Sequence, residues 1–407
     1  MIHPSEAKRI DSADVYKGER LAGRLVRTAQ SVEYRYDAEY LADGSPSVAT
    51  TLPLRIEPYR TGSGSLPPFF TGLLPEGARL QAVVSAVKTS VDDELSLLLA
   101  VGSDTVGDVR VVPSGEVPVD PLPNLPTDPS EVRFADLLHQ ATSPSADQLD
   151  RALPGVQNKI SDAMISFPIR SDRRPAILKL DPDRFPLITR NEAFFLSLAR
   201  TAGFRVPDHQ LISDSTGETG LLVGRFDRES DPEGRPVRIG QEDGCQLLGR
   251  YPADKYRITM NDLASIVSAT ASASRVAVLD LTLQFAFSWM IGNGDLHAKN
   301  YSLQWRDGST LVTATPVYDL VSTLPYPLDQ RSAMQLDGRD ANFRIRYLTD
   351  FAERWGVPGS LARRKINEIA DRTEPDLDEL GSIGYDDPTT ERLSNEIRRR
   401  IDALRSG

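Results

Sequence analysis

The amino-acid sequence predicts an α+β fold in which a small N-terminal α+β unit and a sheet-rich lobe precede a helical lobe. Three observations support this prediction. Short runs of alternating apolar and polar residues, typical of strands, occur within residues 15–60. Apolar residues at helical spacing follow from Phe69, and strand-like runs return between residues 159 and 226. From residue 258 onward helical patterns dominate.

The N-terminal unit is predicted over residues 1–112. LAGRLVR from Leu21 and SVEYRY from Ser31 alternate in polarity and predict strands. Helices are expected in LLPEGARLQAVVSAV from Leu73 and in DDELSLLLAVG from Asp92, where a glycine ends the second helix. Residues 113–130 carry many prolines and predict an extended linker.

The remainder divides into a sheet-rich lobe at residues 131–230 and a helical lobe at residues 231–407. In the first, the polarity patterns predict a helix over 131–140, strands over Lys159–Ile169 and Ala176–Leu180, a helix over Glu192–Ala202 closed by Gly203, and a strand in LLVGRF at 221–226. In the helical lobe, the apolar stretch Val276–Ile291 contains Asp280 and Gln284 and is short for a membrane span, so a buried helix is expected.

Composition excludes several classes of protein. A length of 407 residues favours two or three packed units, and 40% hydrophobic residues provide for real cores. The net charge of −11 has the wrong sign for a protein that coats nucleic acid unaided. Cys245 is the single cysteine, which excludes an internal disulfide and favours a cytoplasmic location. The N-terminus lacks the apolar core of a signal peptide.

The segment GNGDLHAKN at 292–300 carries the strongest chemical signal. Asp295 and Asn300 have the DxxxxN spacing of the kinase catalytic loop, in which the aspartate accepts the hydroxyl proton and the asparagine binds magnesium. Downstream, Asp319 follows a short strand-like segment in PVYDLVST, where a kinase presents its metal-binding aspartate. These residues predict phosphoryl transfer.

Upstream segments supply the remaining parts of a kinase site. AILK at 176–179 is similar to the strand whose lysine pairs with the α- and β-phosphates, and Glu192 on the next helix is a candidate ion-pair partner of Lys179. LPGVQNK at 153–159 predicts a turn whose amides approach phosphate oxygens, although it is not a GxGxxG loop. The parts occur in the order that a bilobal kinase requires.

Other chemistries find less support. The four histidines show no paired spacing such as HExxH, so a zinc enzyme is not expected. The sequence contains no GxSxG segment, so hydrolysis by a Ser-His-Asp triad of the type that carries this segment is not expected.

Several segments together resemble the HipA family. They are FFTGLLPEG from Phe69, PGVQNK from Pro154, ILK from Ile177, RFDR from Arg225, QEDGCQLLG from Gln241 and GNGDLHAKN from Gly292. The resemblance implies a small N-terminal domain followed by a kinase-like bilobal core. It also implies a bacterial toxin that phosphorylates protein serine or threonine with ATP and Mg²⁺, with an aminoacyl-tRNA synthetase among the expected targets, and that causes growth arrest and persistence.

The resemblance also implies residue roles. Asp295 would be the general base, and Asn300 and Asp319 would be the magnesium ligands. The residues expected at ATP are Pro154, Gly155, Val156, Gln157, Asn158 and Lys159 of the nucleotide loop, Lys179, the hinge residues Gly224, Arg225 and Phe226, and also His297, Lys299 and Tyr318.

Two positions depart from the family pattern. Gly224 stands where the family often has glutamate, so an adenine contact there would use backbone groups. Ala152 stands where members often carry a serine whose phosphorylation silences the kinase, which puts self-inhibition by that route in doubt. Family toxins usually bind a small helix-turn-helix antitoxin of the HipB type, so this acidic chain is expected at operator DNA through that partner.

Two alternatives stay open at this point. GDLHAKN also resembles the GDxHxxN loop of aminoglycoside and choline kinases, which would change the acceptor and leave the chemistry the same. A pseudokinase that acts as a corepressor would keep the fold without the reaction. The LLPEG and QED segments favour the HipA family, and the retained Lys179, Asp295, Asn300 and Asp319 favour an active kinase.

Overall fold

A computed structural model describes the chain over residues 4–62, 65–120, 128, 131–136, 165–170, 175–231, 233 and 236–406. Over these residues the chain has an α+β fold with an N-terminal unit, a sheet-rich lobe and a helical lobe, which confirms the predicted fold class. The predicted nucleotide loop at 154–159 and Ala152 lie outside the described residues. So do residues 121–127 and 129–130 of the predicted linker, residues 137–140 of the predicted helix and residues 159–164 of the predicted strand.

The N-terminal unit is built on a five-stranded antiparallel sheet. Its strands are β1 (Ser12–Lys17), β2 (Arg20–Arg27), β3 (Val32–Tyr36), β4 (Tyr59–Arg60) and β5 (Val109–Pro113), in the spatial order β4-β3-β2-β1-β5. Alternation along β3 places Val32, Tyr34 and Tyr36 in the core because successive side chains of a strand point to opposite faces. The two predicted strands are therefore confirmed as β2 and β3.

Helices pack on this sheet. They are α1 (Ala38–Ala42), α2 (Pro68–Thr71), α3 (Gly77–Val87) and α4 (Glu94–Val101). Phe70 of α2 and Leu97 of α4 share one apolar core with Leu25 and Tyr34 of the sheet. Gly102 follows α4, and a Cβ atom there would lie 2.3 Å from the Val111 carbonyl oxygen, so glycine permits the close approach of this helix end to β5.

A four-stranded antiparallel sheet forms the second unit. Its strands are β6 (Ile165–Arg170), β7 (Pro175–Leu180), β8 (His209–Ser213) and β9 (Thr219–Gly224), in the order β6-β7-β9-β8, with helix α5 (Ile188–Ala202) after β7. Helix α5 begins four residues earlier than predicted because the Asp181 carboxylate accepts hydrogen bonds from the Leu187 and Thr189 amides at 2.9 and 2.8 Å. Gly203 ends it in the left-handed conformation, as predicted.

The helical lobe contains short strands beside its helices. Its elements are a hairpin of β10 (Arg228–Ser230) and β11 (Pro236–Arg238), a three-stranded sheet of β12 (Gly240–Asp243), β13 (Ser302–Trp305) and β14 (Thr313–Ala314), and the helices α6 (Gly244–Leu247), α7 (Met260–Thr270), α8 (Ser274–Met290), α9 (Ile345–Arg354), α10 (Gly359–Thr373) and α11 (Asp387–Arg405). These helices bury one large apolar core.

Helix α8 lies at the centre of this lobe. Its apolar side chains are buried on nearly all sides, which is the expected position for a helix without a polar face. Gln284, one of the two polar interruptions, is also buried. Among the described residues, no helix has the length and apolar composition needed to cross a membrane.

A buried ionic network joins the N-terminal unit to the end of β9. Arg225 lies 2.8 Å from both Asp104 and Asp227, and Arg228 lies 2.6 Å from Asp227. The Asp227 carboxylate also accepts a hydrogen bond from the Gly107 amide at 2.9 Å. The RFDR segment thus fixes two units against each other, and the predicted strand ends at Gly224 because Arg225 turns into this network.

Removing the central carboxylate is expected to destabilise the protein. Asp227→Ala leaves two buried guanidinium groups with fewer partners, a change that costs about 3–5 kcal/mol in buried pairs. We expect a thermal midpoint several degrees below wild type. Glu229→Ala, which removes the exposed partner of Arg306, is the control and should stay near wild type. Equal midpoints for the two variants would contradict this account.

Candidate active site

The predicted catalytic loop connects α8 to β13. It turns at Gly292, which has φ +71 and whose Cβ atom would lie 2.4 Å from Leu324, so glycine suits this turn. Asp295 follows and is buried. Its amide donates to Asn293 Oδ1 at 3.0 Å, and its carboxylate accepts a hydrogen bond from the Tyr256 hydroxyl at 2.9 Å.

Asn300 is held on three sides at the end of this loop. Its carbonyl oxygen accepts a hydrogen bond from Gln284 Nε2 of α8 at 2.9 Å. Its side-chain oxygen accepts from the His297 amide at 2.9 Å, and its side-chain nitrogen donates to Asp319 Oδ2 at 2.9 Å. The asparagine is therefore fixed against the second predicted metal ligand.

Asp319 joins the two lobes. Its backbone has φ +59, a conformation that aspartate tolerates better than most residues and that often occurs at functional sites. While one carboxylate oxygen contacts Asn300, the other lies 2.7 Å from the Lys179 ammonium. Residues from β7, the catalytic loop and the segment after β14 thus meet at one carboxylate.

The Lys179 ammonium also contacts Glu192. It lies 2.7 and 2.9 Å from the two Glu192 oxygens, which links β7, one of the two inner strands of its sheet, to helix α5. Glu192 is 1% exposed and Lys179 is 9% exposed, so water hardly screens the pair. The predicted ion pair is present in the structure.

The charges in this cluster depend on one another. Burial by itself would lower the pKa of the Lys179 ammonium. The nearby carboxylates of Asp319 and Glu192 raise this pKa by more than burial lowers it, so the group stays protonated. Burial by itself would raise the pKa of Asp319. The Lys179 ammonium outweighs this effect and holds the pKa below its usual value. Burial raises the pKa of Glu192 to about 7, although Lys179 opposes this shift. The lysine is thus the common partner of both carboxylates.

The donor set fits a magnesium ion that arrives with phosphate. Carboxylate and amide oxygens are hard ligands, and protein sites for Mg²⁺ in phosphoryl transfer commonly supply one or two of them beside the phosphates. The Asp319 side chain is 28% exposed, so it is partly open to solvent beside its contacts with Lys179 and Asn300. Among the described residues, no group of three His, Cys, Asp or Glu side chains could hold a metal by itself.

Of the other predicted ATP residues, His297 lies in the catalytic loop and Tyr318 precedes Asp319, whereas Gly224, Arg225 and Phe226 lie at the end of β9. His297 is buried, and burial lowers its pKa to about 3, so the imidazole is neutral at pH 7. Phe226 packs its ring 5.5 Å from that of Tyr318. The amides of Gly224 and Arg225 donate to the Asp208 and Pro175 carbonyl oxygens at 2.7 and 3.1 Å. Contact between this hinge segment and a nucleotide stays a prediction. Such a contact would use groups of the segment other than the Gly224 and Arg225 amides.

Comparison with known proteins identifies the family. The family model for the HipA N-terminal domain matches residues 13–112, and the model for the HipA-like C-terminal domain matches residues 151–377. The chain belongs to the HipA family. The Y4mE protein of Sinorhizobium fredii, which is named as a kinase, is 31% identical over 376 residues, or 87% of this chain and 88% of that protein.

A named HipA toxin is also similar over nearly the whole chain. The Shewanella oneidensis protein named serine/threonine-protein kinase toxin HipA is 27% identical over 402 residues, covering 90% of this chain and 88% of its own length. The solved complex of HipA, HipB and operator DNA from Shewanella oneidensis MR-1 contains a chain that matches with a TM-score of 0.77 and 22% identity, covering 97% and 99% of the two chains. The structural match confirms the kinase-like fold, and the named relatives support a kinase at the level of the HipA family.

Two residues of this HipA-family site were missed by the sequence analysis. Tyr256 contacts the predicted base, yet no motif marks it. Glu76 contacts Lys299, which was predicted at ATP, although the two lie in different units. The LLPEG segment was recognised as part of the resemblance, but its pattern does not indicate which distant side chain Glu76 meets.

The ion pair gives a stability prediction that depends on pH. Lys179→Met leaves Glu192 buried without its ammonium, at a cost of about 3–5 kcal/mol, and Lys179→Met/Glu192→Leu should recover most of the lost thermal midpoint. Burial raises the pKa of Glu192 to about 7, although Lys179 opposes the shift, so loss of Lys179 raises this pKa further. The deficit of the single variant relative to wild type should therefore grow as pH rises above about 7, where Glu192 ionises in folded wild type but not in the folded variant. Equal midpoints for single and double variants would contradict the pairing.

Proposed function

We propose that this HipA-family protein is an ATP- and magnesium-dependent protein serine/threonine kinase that acts as the toxin of a toxin–antitoxin pair. One observation carries the proposal: Asp319 contacts both Lys179 and Asn300, and Asp295 lies in the same loop as Asn300. A phosphate lysine, a metal-binding pair and a candidate base are the side chains that kinase chemistry requires.

Each side chain has a proposed role in phosphoryl transfer. Lys179 would bind phosphate oxygens, with Glu192 holding its ammonium in place. Asp319 and Asn300 would hold magnesium, which supplies positive charge beside the phosphates. Asp295 would accept the proton of the substrate hydroxyl, with the hydrogen bond from Tyr256 fixing the direction of its carboxylate. Residues 154–159 would cover the phosphates.

The partners are proposed from the relatives. The matched solved complex contains HipB and operator DNA. A helix-turn-helix antitoxin of the HipB type would therefore carry this acidic chain to DNA, which agrees with its net charge of −11. The proposed substrate is a protein of the translation machinery, such as an aminoacyl-tRNA synthetase, and its phosphorylation in the cytoplasm would cause growth arrest and persistence.

A transfer assay tests the reaction. The protein is incubated with γ-labelled ATP, Mg²⁺ and either cell lysate or a panel of aminoglycosides and choline. We expect label on serine or threonine of lysate protein, and a loss of at least about 10²-fold with Asp295→Asn, since general bases contribute about 10²–10⁴-fold. Label confined to the small molecules would instead support a small-molecule phosphotransferase.

A growth assay tests the biological role. Overexpression of wild type should arrest growth, whereas Asp295→Ala and Asp319→Ala should not, because each removes a group needed for transfer. Asp307→Asn, in the exposed turn after β13, is the control and should still arrest growth. If the two active-site variants arrest growth as wild type does, phosphoryl transfer is not the cause, and the pseudokinase alternative gains support.

A further inference from the structure

The LLPEG segment of the N-terminal unit extends to the catalytic loop of the helical lobe. Glu76 precedes α3 and is followed by Gly77, whose φ of +55 favours glycine in this turn. One Glu76 oxygen lies 2.7 Å from the Lys255 ammonium, and the other lies 2.9 Å from the Lys299 ammonium. A single carboxylate from one unit therefore contacts two lysines of another.

The first lysine leads to the candidate base. Lys255 is buried, and its carbonyl oxygen accepts a hydrogen bond from the Ala298 amide of the catalytic loop at 3.2 Å. The next residue is Tyr256, whose hydroxyl donates to the Asp295 carboxylate at 2.9 Å. A fixed Lys255 thus restrains both the loop backbone and the Asp295 side chain.

The second lysine leads to the metal-binding pair. Lys299 lies inside the catalytic loop, and its ammonium is also 3.4 Å from Asp243. Its carbonyl oxygen accepts a hydrogen bond from the Tyr318 hydroxyl at 2.6 Å. The next residue is Asn300, which contacts Asp319. Both the ammonium and the backbone carbonyl group of Lys299 are therefore held, and the residue that follows is a proposed magnesium ligand.

These four charged groups form a matched set. Burial by itself would raise the pKa of Glu76. The Lys299 and Lys255 ammonium groups outweigh this effect and lower the pKa to about 2, so the carboxylate is ionised. Burial by itself would lower the pKa of Lys299. The carboxylates of Glu76 and Asp243 raise this pKa by more than burial lowers it, so the ammonium is charged. Because largely buried charges interact strongly, loss of Glu76 would leave two ammonium groups with less compensation.

Docking of the N-terminal unit does not depend on Glu76 alone. Thr50 donates hydrogen bonds to Glu242 at 2.7 and 2.8 Å, and Gln246 donates to the Phe69 carbonyl oxygen at 3.0 Å. The network around Asp227 adds a further contact. The unit therefore has other anchors, whereas the contact with Lys255 and Lys299 together comes, in the part of the chain that the structure describes, from Glu76.

We propose that Glu76 is a positioning residue through which the N-terminal unit holds the catalytic loop in its transfer geometry. Glu76 fixes Lys255 and Lys299, and these fix Asp295 and Asn300. The proposal rests on the proposed kinase function for its effect on rate. Its effect on the loop itself does not require that function.

Glu76→Gln in the full-length protein tests this proposal. Without the negative charge, the backbone amides of residues 292–303 should exchange with deuterium faster than they do in wild type. The rate of phosphate transfer from ATP to lysate protein at saturating Mg·ATP should fall about 10- to 100-fold, since small displacements of catalytic groups have effects of that order. Glu94→Gln is the matched control, because Glu94 binds the Leu66 amide and the Thr71 hydroxyl within the N-terminal unit.

The outcomes separate the two proposals. Faster exchange and slower transfer in Glu76→Gln, with both wild-type-like in Glu94→Gln, would support the positioning role. Loop exchange and transfer equal to those of Glu94→Gln would overturn it. A wild-type protein without transfer would overturn the proposed function, and the exchange comparison alone would then decide the role of Glu76. If Glu76→Gln does not fold, Lys299→Met replaces it, and wild-type exchange of 292–303 in that variant would overturn the proposal.

Discussion

The candidate site depends on the ion pairs that the Lys179 ammonium forms with two carboxylates. This ammonium contacts Glu192 and Asp319, so it connects a strand, a helix and the segment that carries the proposed metal ligand. Two carboxylates this close would repel each other without a cation between them. The position of α5 on the sheet and the position of Asp319 beside the catalytic loop are therefore set by the same charge.

Buried ion clusters recur at the borders between the units. One surrounds Asp227 at the end of β9, and another joins Glu76 to Lys255 and Lys299. Buried charges are costly unless they are paired, so each cluster favours one arrangement of its units over the alternatives. The N-terminal unit thus contributes to the geometry of the site, although its own sheet carries none of the predicted catalytic side chains.

The sequence predicted the fold where one local pattern was sufficient. The alternation in SVEYRY identified β3, and the apolar run at Val276–Ile291 identified the buried helix α8. Asp295 and Asn300 were recognisable because their spacing lies within one loop. The early start of α5 was missed because its cap comes from Asp181, seven residues before the helix, and not from an adjacent residue.

The contacts of Tyr256 and Glu76 could not be predicted because they depend on tertiary packing. Glu76 and Lys255 are 179 positions apart, and nothing in LLPEG specifies a lysine partner. The hinge illustrates the opposite case, since Gly224 and Arg225 were predicted from the family pattern while their amides bond within the protein. A motif identifies the residue types of a site more readily than it identifies which atoms are engaged.

The most direct test of the central claim is a crystal structure with Mg²⁺ and a non-hydrolysable ATP analogue. We predict phosphate oxygens at the Lys179 ammonium, a magnesium ion bound by Asp319 and Asn300, and the γ-phosphate facing Asp295. A nucleotide bound away from Lys179, or a metal ion held without Asp319, would contradict the account.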